Sequence, residues 1–162
     1  MVAILVTGMS GAGKSAALDL LARKGFRCVD TDVGDWIAEL PLPGGGLEPQ
    51  WREERIDALL TGHERSGEPL FVAGTVWNQS VFYPRFAEIV LLTAPLEIML
   101  ERVAARENPF GRTAEQRAAI AADTAEVEPL LREFATVEID TRAPLHEVVD
   151  RLAALTARED LA

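Results

Sequence analysis

The residues from Gly8 to Ser15 have the types and spacing of a loop that can hold phosphate. They read Gly-Met-Ser-Gly-Ala-Gly-Lys-Ser and match the pattern G-x-x-x-x-G-K-[ST] at every defined position. Glycines let the backbone fold around an anion without Cβ clashes, and the amides at the start of the next helix then face that anion. The ammonium of Lys14 can reach the outer phosphates of a nucleotide, and the hydroxyl of Ser15 can ligate Mg²⁺. We therefore expect this segment to bind ATP with Mg²⁺.

Two carboxylates follow the second apolar run of the chain. Asp30 and Asp32 flank Thr31 directly after Val29. Residues two apart in a strand share a face, so both carboxylates can point into a cleft above the carboxyl ends of the strands. The alternative for this pair is a solvated acidic turn. With the phosphate-binding loop upstream, the pattern favours a site.

Short apolar runs alternate with helical periods along the whole chain, which is typical of a parallel α/β sheet. The predicted strands cover residues 2–6, 26–29, 70–73, 89–92 and 136–139. The predicted helices cover 14–24, 35–40, 51–60 and 95–106, with a loop over 41–46. A further helix begins after a capping box formed by Thr113 and Gln116 and is expected to kink or end near Pro129. A last helix carries Leu145, Val148, Val149 and Leu152 on one face.

The composition of the strands predicts their order in the sheet. Strands one, three and four are almost continuously apolar, as central strands covered on both faces should be, whereas strands two and five include charged residues. We therefore predict a three-layer α/β fold with a five-stranded parallel sheet in the order 2-3-1-4-5.

With this loop near the start of the chain, the sequence resembles the small P-loop kinases of the nucleoside monophosphate kinase and shikimate kinase group, over nearly its whole length. Bacterial proteins of this appearance are often labelled only as AAA-family ATPases. The resemblance implies a P-loop NTPase fold, with ATP and Mg²⁺ as the groups bound. It also implies that Asp30 orients Mg²⁺ through water and that Asp32 contacts the acceptor hydroxyl, positioning it or taking its proton. The catalytic residues implied are Lys14, Asp32 and Arg112. The nucleotide-binding residues implied are Gly8, Met9, Ser10, Gly11, Ala12, Gly13, Lys14, Ser15, Ala16, Arg106 and Arg142, and the metal-binding residues are Ser15 and Asp30.

The segment from Leu92 to Thr113 resembles the strand, helix and LID of these kinases, with a short LID over residues 107–113. By this resemblance Arg106 lies against the adenine and Arg112 swings over the transferring phosphate. A mobile arginine there can stabilise the negative charge that is spread over the phosphate in the transition state. We expect Arg102 to be a surface or Glu-paired arginine. A loop at the place of Arg142 carries backbone contacts to adenine in the family.

The acceptor-binding region of these kinases corresponds to residues 33–66. Arg52 and Arg55 can fork onto a carboxylate or phosphate there, or belong to a solvated helix face beside Glu53 and Glu54. Shikimate kinases have a run of three glycines after the third strand, which this sequence lacks. Asn78 can hydrogen-bond a neutral polar acceptor or tie down its own loop. The residues assigned to the acceptor are Asp32, Arg52, Arg55, Gly74 and Asn78.

The composition of the chain limits its domain number, its partners and its relation to a membrane. The chain has 162 residues with 48% hydrophobic and 26% charged residues, which suits one globular domain over 1–162. Its net charge of −10 argues against a nucleic-acid polymer as partner. Cys28 is the only cysteine, so no internal disulfide can form, and no apolar run reaches the length of a membrane span. We expect a cytoplasmic monomer or weak homodimer that binds a small-molecule acceptor or a nucleotide and no membrane.

Three functions remain after these arguments. The leading hypothesis is a small-molecule kinase that transfers the γ-phosphate of ATP to a hydroxyl. The second is a nucleoside monophosphate kinase, whose acceptor is a phosphate. The third is a nucleotide-binding regulatory protein that does not catalyse transfer. Asp32 favours the first, because a phosphate acceptor needs no base, and Arg52 and Arg55 would favour the second if they converged on the cleft.

Overall fold

The computed structural model describes residues 2–105 and 113–157. Arg106, Arg112 and nearly all of the predicted LID lie outside these residues, so their roles stay predictions. The described ranges form seven strands: β1 Ala3–Thr7, β2 Arg27–Asp30, β3 Ile37–Pro41, β4 Leu47–Trp51, β5 Leu70–Ala73, β6 Glu88–Thr93 and β7 Val137–Asp140. The α-helices are α1 Lys14–Arg23, α2 Glu53–Ser66, α3 Leu96–Ala104, α4 Ala114–Phe134 and α5 Leu145–Leu155, and a 3-10 segment covers Gln79–Arg85.

The main sheet has five parallel strands in the order β2-β5-β1-β6-β7. Counted among the parallel strands alone, this is the predicted order 2-3-1-4-5; the full numbering differs because β3 and β4 intervene in the chain. Val6 pairs with Ala73 on one side and with Val90 on the other, and Asp30 pairs with Ala73. The carboxyl ends of these strands are therefore level, so the segments that follow them meet at one edge of the sheet.

Alternate residues of β1 face two separate cores. Ile4 and Val6 pack with side chains of α1 and α5, whereas Ala3 and Leu5 pack with side chains of α2 and with Trp51. Helices thus cover both faces of the sheet, which accounts for the continuous apolar composition of the central strands.

An antiparallel hairpin replaces the short helix predicted over 35–40. Ile37 pairs with Trp51 and Leu40 with Glu48, and the two strands form a sheet of their own. The turn between them has positive φ angles at Gly45 (98°) and Gly46 (84°), which glycine adopts without strain. The prediction was wrong because it treated the Gly/Pro loop as a helix boundary, whereas the loop returns the chain on itself. For the same reason the following helix begins at Glu53 and not at Trp51.

Helix α4 begins as predicted but extends further than predicted. The Thr113 hydroxyl accepts from the Gln116 amide at 3.1 Å, and the Thr113 amide donates to the Gln116 side chain at 3.3 Å, which confirms the capping box. The helix continues past Pro129 to Phe134. Proline removes one backbone donor, and the buried Leu131 helps the last turn to stay packed despite that loss. No helix in the described part of the chain combines the length and apolar character needed to cross a membrane.

Candidate active site

The loop from Gly8 to Gly13 joins the end of β1 to the start of α1, as the motif predicts. A Cβ at Gly8 would stand 2.6 Å from the carbonyl oxygen of Leu92, and one at Gly11 would collide with the backbone of Met99. Gly13 has a φ of 101°. The loop therefore needs glycine for two reasons: its close packing against β6 and α3, and its positive φ at Gly13. The loop leads directly into the amino end of α1, where backbone amides can bind an anion.

The ammonium of Lys14 lies against its own loop. It donates to the carbonyl oxygen of Gly8 and to the hydroxyl of Thr75, the latter at 3.3 Å. A phosphate oxygen can take over such a donor, because a lysine ammonium has three donors on a flexible stem. Lys14 is thus held close to the backbone that the motif assigns to the phosphates.

Thr75 is a residue of this site that sequence reasoning missed. Its hydroxyl donates to the Gly8 carbonyl at 2.6 Å and lies 3.1 Å from the Gly8 amide, which donates to it. It also lies 3.0 Å from the hydroxyl of Thr7. Thr75 follows β5, two residues after that strand ends, so its place beside the loop after β1 could have been inferred from the sheet order.

The hydroxyl of Ser15 donates to a carboxylate oxygen of Asp30 at 2.7 Å. Hydroxyl and carboxylate oxygens are ligands that Mg²⁺ prefers, and these two lie at the carboxyl edge of the sheet beside the phosphate-binding loop. Among residues 2–105 and 113–157, no group of three or more His, Cys, Asp or Glu side chains could hold a metal. The pair therefore fits an ion that takes its other ligands from phosphate oxygens and water.

Asp32 does not share a strand face with Asp30, because β2 ends at Asp30. A turn follows, in which the Val33 amide donates to the Asp30 carbonyl and the Asp32 amide donates to the Asp30 carboxylate at 3.1 Å. The side chain of Asp32 is exposed. The argument from strand periodicity was therefore wrong, and the acceptor role of Asp32 stays a prediction that rests on the family resemblance.

Arg102 was predicted to be a surface or Glu-paired arginine, but it is half-buried and its hydrogen bonds within the described residues go to other oxygens. Its guanidinium donates to the Gly11 carbonyl at 3.1 Å, to the Thr141 hydroxyl at 2.8 Å and to the Thr141 carbonyl at 2.8 Å. The Thr141 hydroxyl also lies 2.8 Å from the carbonyl oxygen of Ala12. One arginine on α3 thus connects the phosphate-binding loop to the loop after β7, a function that spacing alone did not reveal.

The side chain of Arg142 binds its neighbour Asp140, and the assignment of its loop to the nucleotide, which rests on backbone contacts, stays a prediction. A guanidinium nitrogen donates to the Asp140 carboxylate at 2.7 Å. This hydrogen bond lowers the pKa of Asp140 below its ordinary value and raises that of Arg142. The pair is exposed, so a nucleotide that used this guanidinium would compete with an existing partner.

Arg52 and Arg55 converge on a carboxylate of the protein itself. The two guanidinium groups approach different oxygens of Asp35, Arg52 at 3.3 Å and Arg55 at 3.1 Å. An internal anion therefore occupies the fork that was assigned to an acceptor carboxylate or phosphate.

Gly74 and Asn78 have structural partners. The Asn78 side chain accepts from the Trp51 amide at 2.9 Å and donates to the Trp51 carbonyl at 3.0 Å, so of the two alternatives it ties down its loop. Gly74 is buried against the hydroxyl of Thr31 and the ring of Trp51, where no Cβ fits. These contacts give both residues a structural role, and their assignment to the acceptor stays a prediction.

Two cavities lie beside the phosphate-binding loop. One of about 610 Å³ reaches Met9 and Thr75. The other, of about 650 Å³, is lined by Ser15, Asp30 and Cys28, among others. Burial raises the pKa of the Cys28 thiol to about 11, so this cysteine is a poor nucleophile near neutral pH.

Comparison with solved structures agrees with this architecture. A shikimate kinase from Acinetobacter baumannii in complex with shikimate superposes with a TM-score of 0.62 at 20% identity, covering 100% of this chain and 96% of that one. A gluconokinase from Sinorhizobium meliloti gives a TM-score of 0.55 at 24% identity, covering 99% and 95%. At these identities the likeness shows the fold, and it confirms the resemblance to small P-loop kinases.

Curated relatives carry a less specific description. A protein of Thermosipho melanesiensis named "Nucleotide-binding protein" is 32% identical over 104 residues, which is 62% of this chain and 33% of that protein. The aligned part thus spans about a third of the relative's length. The family model AAA_18, described as an AAA domain, matches residues 4–123, well over half of the chain and including the whole phosphate-binding loop. The chain belongs to the AAA_18 family of AAA domains.

Proposed function

We propose that this protein is an ATP- and Mg²⁺-dependent kinase that transfers the γ-phosphate to a hydroxyl of a small molecule. The observation that carries the proposal is the continuity between the phosphate-binding loop and the 610 Å³ cavity. Thr75 lines that cavity while its hydroxyl lies within 3.3 Å of the Lys14 ammonium. An acceptor in the cavity would therefore lie next to the groups assigned to the phosphates.

In the proposed reaction the acceptor oxygen forms a bond to the γ-phosphorus. The bond from that phosphorus to the bridging oxygen breaks, ADP leaves with its electron pair, and the hydroxyl proton passes to a carboxylate. Mg²⁺ held near Ser15 and Asp30 would supply charge neutralisation of the phosphates. Lys14 and the loop amides would orient the phosphates and stabilise the negative charge that develops on them.

Asp32 is the proposed acceptor-side carboxylate on the family resemblance alone, since it is exposed and is not among the described residues that line the 610 Å³ cavity. If it takes the hydroxyl proton, Asp32→Asn should lower kcat by about 10²–10⁴-fold while the affinity for ATP changes little. Steady-state kinetics of ADP release measure this. A fall of less than about tenfold would mean that Asp32 only positions the acceptor.

The second candidate is nucleotide binding without transfer. It is favoured by the curated relatives, which are named only as nucleotide-binding proteins. Nucleoside monophosphate kinase activity has less support, because Arg52 and Arg55 already bind Asp35.

The deciding experiment is an ADP-release assay with ATP and Mg²⁺ across hydroxyl metabolites and all nucleoside monophosphates. We expect turnover with a hydroxyl compound, and Lys14→Ala should abolish that turnover while circular dichroism shows an unchanged fold. Turnover only with monophosphates would support the monophosphate kinase. Tight binding of a fluorescent ATP analogue with no acceptor-dependent release would support the regulatory protein.

A further inference from the structure

The 610 Å³ cavity has walls from three parts of the chain. The hairpin contributes Glu48 and Pro49, the segment after β5 contributes Thr75, Trp77 and Tyr83 among others, and one face of α4 contributes side chains that include Asp123 and Phe134. Met9 of the phosphate-binding loop also lines the cavity. Its volume suits one small organic molecule, with one end of that molecule at the phosphates.

One side of this cavity is aromatic and aliphatic. Trp77, Leu130 and Phe134 line it although each side chain is more than half exposed to solvent. The ring of Phe134 lies 5.7 Å from that of Tyr83, centroid to centroid. Large apolar side chains that gather around a concave surface and stay accessible are typical of a ligand site.

The charged residues that line the cavity within the described part of the chain are all acidic. Glu48, Asp123 and Glu126 are its ionisable acidic residues, and none of the described lining residues is a lysine or arginine. Asp123 and Glu126 lie one turn apart on α4, the helix that also supplies Leu130 and Phe134. An acceptor with a carboxylate or phosphate would be repelled here, whereas a protonated amine would be attracted by the carboxylates and by the aromatic faces.

We propose that this cavity is the acceptor site and that it selects a hydroxyl compound carrying a protonated amine and an aromatic or branched apolar group. The hydroxyl lies at the Met9 and Thr75 end, the apolar group against Trp77 and Phe134, and the amine toward Asp123 and Glu126. The identification as an acceptor site rests on the proposed kinase activity; the selection by charge rests on the cavity itself.

Three probes of one shape test the charge selection. They are 2-amino-1-phenylethanol, 1-phenylethane-1,2-diol and mandelate, which are cationic, neutral and anionic at neutral pH. Titration calorimetry on the full chain at low salt should place the dissociation constant of the amine about tenfold or more below that of mandelate, with the diol between them. Added salt should reduce this preference, because it screens exposed charges. Equal affinity for amine and mandelate, or no binding of the amine up to about 10 mM, would overturn the proposal.

A matched pair of double variants distinguishes the effect of the cavity carboxylates on ligand affinity from the effect of the net charge of the protein. Asp123→Asn with Glu126→Gln should bring the ratio of amine to mandelate affinity close to one and leave diol binding within about twofold. Glu115→Gln with Glu133→Gln removes the same charge from α4 at exposed positions that do not line the cavity, and it should change the ratio by less than about twofold. An unchanged ratio in the first variant would refute the assignment to Asp123 and Glu126.

The same probes distinguish failure of this inference from failure of the kinase proposal. Selective amine binding without ADP release would support the charge selection and contradict the kinase. Efficient ADP release with mandelate, without preference for the amine, would support the kinase and overturn the charge selection.

Discussion

Arg102 offers a direct test of how the phosphate-binding loop is held. Arg102→Met keeps most of the apolar stem and removes three hydrogen bonds, one to the Gly11 carbonyl and two to Thr141. A hydrogen bond from a charged donor contributes about 1.5–3 kcal/mol when buried, and Arg102 is only half-buried, so we assign about 1 kcal/mol to each. The free energy of unfolding should fall by about 2–3 kcal/mol, equivalent to about 4–12 °C in Tm for a chain of this length.

Urea unfolding followed by tryptophan fluorescence measures this change, since Trp51 is fully buried. The affinity for a fluorescent ATP analogue should also fall by about tenfold, because the ligand must then order a loop that Arg102 holds in the wild type. Arg23→Met is the control: its side chain is 78% exposed and its ion pair with Asp19 spans 3.9 Å, so the change should stay below about 0.5 kcal/mol. Unfolding and nucleotide affinity indistinguishable from wild type in Arg102→Met would refute the reasoning.

Two further predictions concern Gly74, which follows β5, and Cys28, which lies within β2. Gly74→Ala should destabilise the fold by about 1–3 kcal/mol in urea unfolding, because the new methyl group meets the Thr31 hydroxyl and the Trp51 ring. Gly62→Ala, in an exposed position of α2 with nothing near its Cβ, should instead stabilise by about 0.5–1 kcal/mol, and equal effects of the two would contradict the packing argument. With its pKa raised to about 11, Cys28 should react with iodoacetamide about tenfold faster per pH unit between about pH 8 and 10, as followed by mass spectrometry, and levelling off near pH 9 would show an ordinary thiol.

The parallel sheet and the phosphate-binding loop could be predicted because each has a local cause. Buried parallel strands need continuous apolar runs, and the loop needs glycines followed by Lys14 and Ser15 at fixed spacing. The β3–β4 hairpin was missed because its strands carry charges and prolines and make no pairing with the main sheet. A short mixed segment of this kind matches helix and strand patterns about equally well.

The candidate site was predicted less completely than the fold. Ser15 and Asp30 lie together as expected, because the loop after β1 and the end of β2 both lie at the carboxyl edge of the sheet, with β5 between the two strands. Arg102 acts through contacts with residues far away in the sequence, which no spacing rule reports, whereas Thr75 could be placed only by reasoning from the order of the strands. Arg52 and Arg55 have the right chemistry for an anion, but both guanidinium groups lie within ion-pair distance of the nearby Asp35.

The separation of the hairpin from the main sheet has a consequence for how the specificity of this chain can change. Within the described residues, β3 and β4 pair only with each other. The backbone hydrogen bonds of the main sheet, which hold the strand before the phosphate-binding loop, therefore do not involve either of them. Their exposed side chains, including Glu48, can be exchanged without shifting the register of β1 against β5 or β6. A library restricted to the hairpin and to the cavity-facing residues of α4 would therefore explore new acceptors while leaving the nucleotide-binding half of the molecule constant.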